Sequence, residues 1–147
     1  MEKTILVVED DATYFQFWKR FLKEIGHNRL LLAKNAEEAL PILRREKIDL
    51  LISDIMLPKK NGYQLAKEGL KIRRGLKIIL TTGYQTKLDR YDLKGLQCHI
   101  LHKPYHNLGE ISKLLKKILS GQNVFQGMDE DSFSENETYP DITEWML

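Results

Sequence analysis

Five short apolar runs divide the first 120 residues of the chain, and a segment with helical patterning follows each run. The runs occupy residues 4–8, 29–33, 50–54, 77–81 and 99–101. Short apolar strands that alternate with helices require a parallel sheet with helices on both faces and right-handed crossovers between the strands. We therefore predict one α/β domain over residues 1–120, built as a doubly wound sheet of five parallel strands.

The helical segments differ in how clearly they are patterned. In the first segment, apolar side chains follow the spacing of one helix face. Phe15 and Phe17 widen that face beyond what one core contact requires, which predicts an exposed docking surface at its edges. Pro41 lies inside the second predicted helix, and we expect it to bend or divide that helix. Residues 85–97 are predicted as a fourth helix although their periodicity is weak.

Charged and polar side chains follow the ends of four predicted strands. Glu9 and Asp10 follow the first strand, and Asp54 ends the third. Thr82 follows the fourth strand, and Lys103 follows the fifth. In a doubly wound sheet, the carboxyl ends of the strands open into one crevice where ligands bind. We therefore predict that these five residues meet in that crevice.

The three carboxylates of this group indicate a metal ion. Carboxylates a few ångströms apart repel one another, and they do not all stay ionised without compensation. One lysine cannot neutralise three of them, whereas a divalent cation can. An oxygen-rich site that keeps several waters suits Mg²⁺ better than a transition metal. The metal, Lys103 and Thr82 would then surround a phosphoryl group, with Asp54 as the attacking carboxylate.

Together these motifs resemble the signature of bacterial two-component response-regulator receiver domains. The resemblance covers residues 3–120, with every motif in order. The matching motifs are Glu9-Asp10, Asp54 through Pro58 with Gly62 eight residues past Asp54, Thr82-Gly83 and Lys103-Pro104. The resemblance implies a flavodoxin-like sheet with strand order 2-1-3-4-5, and we expect a single-domain, stand-alone receiver that acts as a phosphoacceptor.

The resemblance also implies a role for each acidic residue. Asp54 would take a phosphoryl group from a phosphohistidine of a sensor histidine kinase or a histidine phosphotransfer protein, within a two-component system or phosphorelay. Asp10, Asp54 and the Met56 carbonyl would bind Mg²⁺ directly, and Glu9 would act through water. The chain would catalyse only its own phosphorylation and the slow hydrolysis that reverses it, so we do not expect a metabolic enzyme.

The other matched residues would report the modification. Lys103 would contact the phosphoryl group before a cis Pro104, and Thr82 would move to hold one phosphoryl oxygen. Family members usually carry Tyr or Phe three residues before the lysine, as the second half of the switch, but this chain has Ile100. This departure leaves open an alternative, namely a phosphorylation-independent interaction module that retains the receiver fold.

An aspartyl phosphatase is a rival from another functional class, since it also uses an aspartate nucleophile at the end of a strand. That chemistry needs a second carboxylate two residues later, which acts as the general acid. The chain has Met56 at that position. The sequence therefore argues strongly against a phosphatase.

The charge of the chain is divided between a basic body and an acidic end. Seven of the 21 acidic residues lie in residues 121–147, which contain no Lys or Arg. Residues 1–120 therefore carry 23 basic and 14 acidic side chains, a net charge of +9. We expect the acidic segment to form a flexible tail. Because the basic residues are spread over several segments and the tail is acidic, direct binding to nucleic acid is not expected.

The composition favours a cytoplasmic protein. Cys98 is the only cysteine, so the chain cannot form an internal disulfide. No apolar run approaches the ~18 residues that a membrane span needs. The N-terminus has no basic region leading into a signal-peptide core. We therefore expect no membrane partner.

Overall fold

A parallel sheet of five strands forms the centre of the computed structural model, which describes residues 2–26, 28–83 and 87–121. The strands are β1 Lys3–Val8, β2 Asn28–Ala33, β3 Leu50–Asp54, β4 Lys77–Thr82 and β5 His99–His102. Their order in the sheet is β2-β1-β3-β4-β5, which confirms the predicted doubly wound, flavodoxin-like arrangement. Residues 122–147 of the predicted tail lie outside the described residues.

Helices connect the strands and cover both faces of the sheet. They are α1 Ala12–Ile25, α2 Ala36–Arg45, α3 Gly62–Ile72, α4 Leu93–Leu96 and α5 Leu108–Leu119, with a short 3-10 helix at Leu88–Arg90. Residues of α1 and α5 pack in one hydrophobic core, and residues of α2 and α3 pack in the other. Across the described segments, no helix has the length and apolar character needed to cross a bilayer.

The two cores meet at the central strands, whose side chains alternate between the faces. In β1, Ile5 and Val7 belong to the core under α1 and α5, whereas Leu6 and Val8 belong to the core under α2 and α3. All four are fully buried, as expected for a parallel strand covered on both faces. The strand interiors are therefore apolar, and chemistry is left to the polar residues at the strand ends.

The aromatic helix α1 is buried more deeply than its sequence predicts. Phe17 is 0% exposed and stacks on Phe21 and Tyr105, with ring centroids 5.4 and 4.9 Å away. The prediction of an exposed docking surface at Phe17 is therefore wrong, because a residue far along the chain covers that edge of the helix. Phe15, its predicted counterpart, is half-buried.

Two further helix predictions differ from the structure. Of the two outcomes predicted at Pro41, a bend or a division, the division does not occur, since α2 continues through Pro41 as one element. Glu37 and Pro41 are both exposed, so water can bond the carbonyl that the proline leaves without a helical partner. Within the described residues, the predicted fourth helix is reduced to the 3-10 helix and the single turn α4. Gln97 ends this turn with a left-handed φ of 55°.

Candidate functional site

Strand register brings the predicted site residues to one edge of the sheet. In the register of β1 on β3, Val8 is aligned with Ser53. The next residues along the two strands, Glu9 and Asp54, therefore lie side by side. The register of β4 on β5 aligns Thr82 with His102, so Lys103 follows directly. This edge is the carboxyl end of the parallel strands, where open α/β sheets bind their ligands.

Lys103 lies between two buried carboxylates. Its Nζ donates to Glu9 Oε1 and Oε2 at 2.8 and 3.0 Å, and to Asp54 Oδ2 at 2.9 Å. Glu9 is 1% exposed and Asp54 is 7% exposed, so salt and solvent screen these contacts little. Removal of the Lys103 charge would leave two buried carboxylates side by side without a counter-ion.

Burial changes the protonation of this group. Removal from water raises the pKa of Glu9 to about 7, although the hydrogen bond from Lys103 acts against this shift. Burial also acts to lower the pKa of Lys103, but the hydrogen bonds and charges of Glu9 and Asp54 outweigh it, so that pKa is raised overall. Lys103 is therefore cationic at neutral pH. A second cation near Glu9 would favour the ionised form of the Glu9 carboxyl group.

Asp10 completes an acidic cluster at the mouth of the crevice. Glu9, Asp10 and Asp54 each offer one carboxylate oxygen, and these oxygens lie within 4.8 Å of one another. Three carboxylates against one ammonium leave negative charge uncompensated, and hard oxygen donors are the ligands that Mg²⁺ prefers. Asp10 is exposed, so a bound ion would keep several of its waters. The donors present therefore fit Mg²⁺.

The turn after β3 holds Asp54 from its other side. The Met56 N–H donates to Asp54 Oδ1 at 3.1 Å, so each oxygen of this carboxylate accepts one hydrogen bond. The first residue of α3, Gly62, packs directly against the Asp54 backbone, because an added Cβ would lie 2.1 Å from the Asp54 carbonyl oxygen. The structure thus brings the predicted ligand Met56 into contact with Asp54 through its amide.

Thr82 lies at the same edge, and its side chain and backbone each make one hydrogen bond there. The hydroxyl donates to the Gly83 carbonyl at 3.1 Å, while the Thr82 carbonyl accepts from the Lys103 N–H at 2.8 Å. The peptide bond from Lys103 to Pro104 is cis, as the resemblance implied. Ile100 packs, partly buried, against the core under α2 and α3. A backbone hydrogen bond therefore links Thr82 to Lys103.

Two aromatic residues belong to the site in addition to the predicted ones. Lys103 Nζ lies 4.2 Å from the centroid of the Tyr14 ring, and that ring meets the Tyr105 ring edge-on at 5.3 Å. Tyr105 is 1% exposed, and its hydroxyl accepts from Trp18 Nε1 at 3.2 Å. Helical spacing assigns Tyr14 to the core. The one feature of the sequence that could have placed Tyr14 at the site is its position four residues past Asp10.

Replacement of Tyr105 by Phe should lower the free energy of unfolding by about 1–2 kcal/mol, because the buried indole N–H of Trp18 would lose its acceptor. Urea unfolding measures this change. Tyr91→Phe is the matched control, since the described residues offer no hydrogen-bond partner to the half-buried Tyr91 hydroxyl. Equal losses in the two variants would contradict the assigned role of the Trp18 hydrogen bond.

Comparison with known sequences agrees with this geometry. The family model described as "Response regulator receiver domain" matches residues 5–117. The chain is 31% identical over 117 residues to the response regulator receiver protein CpdR of Brucella abortus, and the match covers 77% of this chain and 97% of CpdR. It is also 36% identical over 103 residues to the transcriptional regulatory protein AruR of Pseudomonas aeruginosa. That match covers 67% of this chain but only 41% of AruR.

Comparison with solved structures agrees with the fold. A response regulator receiver domain protein from Clostridium thermocellum superposes with a TM-score of 0.70 at 28% sequence identity. The superposition covers 81% of this chain and 95% of that protein. Sheet order, strand-end residues, family model and relatives all agree. The chain therefore belongs to the family of two-component response regulator receiver domains.

Proposed function

We propose that this chain is a phosphoacceptor, in which Asp54 takes a phosphoryl group from a phosphohistidine. The observation that carries the proposal is the placement of the Lys103 ammonium 2.9 Å from Asp54 Oδ2. A buried carboxylate can act as a nucleophile, and a cation held beside it can stabilise the negative charge of the phosphoryl group that it accepts. The exposed position of Asp10 leaves the mouth of the crevice open to a donor.

In the proposed reaction, an Asp54 carboxylate oxygen attacks the phosphorus of the donor. The new P–O bond forms as the bond from phosphorus to the imidazole nitrogen breaks, and the product is an acyl phosphate on Asp54. Lys103 donates to a phosphoryl oxygen, for which its Nζ must give up one of its bonds to Glu9. The Met56 N–H keeps the carboxylate oriented throughout.

Mg²⁺ belongs to this proposal, with Asp10, Asp54 and the Met56 carbonyl as its direct ligands and Glu9 as a partner through water. When bound, it would take up negative charge on the carboxylates and on the phosphoryl oxygens. The support for this assignment is the cluster of three carboxylate oxygens that lie within 4.8 Å of one another.

The expected partner is a sensor histidine kinase or a histidine phosphotransfer protein. We propose that hydrolysis of the acyl phosphate by water ends the signal. Phosphorylation of Asp54 and this hydrolysis are the two reactions that we propose for the chain. A cytoplasmic location belongs to the same proposal, because the kinase draws the phosphoryl group from ATP. Since the match spans less than half of AruR, the output of that longer regulator is not transferred to this chain.

Incubation with acetyl phosphate and Mg²⁺, followed by intact mass spectrometry, tests the proposal. The expected result is a gain of one phosphoryl group that is lost at alkaline pH, as acyl phosphates are. A chain that gains no mass, while a known receiver domain is labelled under the same conditions, would overturn the proposal and favour the phosphorylation-independent module.

The switch should also depart from the usual pattern, because Ile100 stands where an aromatic ring is common. Addition of beryllofluoride, which mimics the phosphoryl group, is expected to shift the backbone amides of Thr82 and Gly83 more than the amide of Ile100. The reason is that the Thr82 hydroxyl must leave the Gly83 carbonyl, whereas β5 has no ring to move at Ile100. Two-dimensional NMR measures the shifts, and larger changes around Ile100 would contradict this expectation.

A further inference from the structure

The Tyr14 ring lies against the ammonium group of Lys103, and the reaction described above gives this contact no role. The distance from Nζ to the ring centroid is 4.2 Å, well within the ~6 Å over which a ring face attracts a cation. The Lys103 side chain is 12% exposed. Because little water separates the two groups, the attraction is stronger than it would be at an open surface.

The Tyr14 ring is fixed from two directions. Its backbone N–H donates to Asp11 Oδ1 at 3.2 Å, in the cap that begins α1. Its ring edge packs on Tyr105 at an interplanar angle of 83°, and Tyr105 follows Lys103 by only two residues. The Tyr14 ring is therefore held between the start of α1, which carries it, and the segment after β5, which carries both Lys103 and Tyr105.

An aromatic ring face is a suitable neighbour for Lys103, because this lysine must change its hydrogen-bond partners during the proposed reaction. In the resting site, the Lys103 donors are engaged by Glu9 and Asp54. Phosphoryl transfer requires one of these donors to turn to a phosphoryl oxygen while the ammonium stays near Asp54. A carboxylate would compete for that donor. An aromatic face attracts the charge as a whole and leaves the direction of each N–H free.

We propose that Tyr14 is a positioning residue, whose ring holds the Lys103 ammonium beside Asp54 while the lysine exchanges Glu9 for the incoming phosphoryl group. This inference rests on the proposed phosphoacceptor function. The proposed role requires an aromatic ring at position 14, and it does not depend on the phenolic hydroxyl. A purely space-filling side chain would instead be replaceable by any apolar residue of similar size.

The test compares Tyr14→Leu with Tyr14→Phe in the full chain, using acetyl phosphate and Mg²⁺. The leucine variant should be labelled about fivefold more slowly, whereas the phenylalanine variant should stay within about twofold of wild type. Tyr14→Met is a second non-aromatic variant in case the leucine variant does not fold. Tyr63→Leu is the matched control, because Tyr63 is also half-buried and the cation near its ring, 5.3 Å from the centroid, is Lys67 instead of Lys103.

Proton NMR of Lys103 gives a readout that does not depend on phosphorylation. Its side-chain ε protons should be shifted upfield by the ring current in the wild type and in Tyr14→Phe, and this shift should vanish in the two non-aromatic variants. Equal labelling of the leucine and phenylalanine variants, or an unshifted Lys103 in the wild type, would overturn the inference. If the wild type is not labelled at all, the proposed function fails, and the upfield shift alone then decides whether Tyr14 holds the ammonium.

Discussion

Asp54→Asn should reduce labelling by acetyl phosphate to the background level. The amide has nearly the same size as the carboxylate, so the contacts of Asp54 with Met56 and Lys103 can persist in part. However, an amide oxygen is too weak a nucleophile to form the acyl phosphate. Intact mass spectrometry after incubation with Mg²⁺ measures the effect directly, and circular dichroism verifies that the variant is folded.

The controls for this result come from the same chain. Asp89→Asn changes an exposed aspartate on the 3-10 helix, and its labelling should match the wild type. Asp10→Asn should be labelled more slowly at limiting Mg²⁺ and recover at high Mg²⁺, because one proposed ligand is lost. Robust labelling of Asp54→Asn, or full labelling of the wild type in EDTA, would show that the proposed mechanism is wrong.

Gly62→Ala should destabilise the protein more than a typical surface substitution. The new Cβ would lie 2.1 Å from the Asp54 carbonyl oxygen and 2.9 Å from Ser53 Oγ. The first of these atoms is backbone in a buried strand and cannot turn aside, so α3 must shift away from β3. We expect the free energy of unfolding to fall by about 3 kcal/mol, the upper part of the range for overpacked cores.

Urea unfolding of Gly62→Ala and Gly75→Ala provides a matched comparison. A Cβ at Gly75 would meet nothing within 4 Å, so the second variant should change stability by less than about 0.5 kcal/mol. Because Gly62 packs against the residue proposed as nucleophile, the first variant should also be labelled more slowly at temperatures where it remains folded. Similar stabilities for the two variants would contradict the close packing of α3 on β3.

Much of the fold could be predicted because its determinants are local in sequence. The apolar runs of the strands are short and bounded by turn residues, and the caps of α2 and α5 are visible as Asn35 with Glu38 and Asn107 with Glu110. These patterns depend on neighbouring residues alone. The site followed from the same information, since all parallel strands end at one edge and Glu9, Asp54 and Lys103 stand at those ends.

The remaining features depend on contacts between distant segments, which periodicity does not reveal. Phe17 is buried by Tyr105, and Tyr14 meets Lys103, across separations of more than eighty residues. Local pattern also failed where it was weakest, since α4 is a single turn. Hydroxyl direction is likewise set by packing, so the bond from Thr82 to Gly83 could not be predicted.

The placement of Lys103 gives the resting site an internal counter-ion. Its ammonium already offsets part of the carboxylate charge in the region where the proposed reaction would place the phosphoryl group, so incoming groups would meet a partly compensated pocket instead of bare carboxylates. Exchange of one counter-ion for another requires little reorganisation of the surrounding dipoles. In the same arrangement both oxygens of Asp54 accept N–H donors, so in the proposed transfer the lysine would release Glu9 while it remains beside the attacking carboxylate.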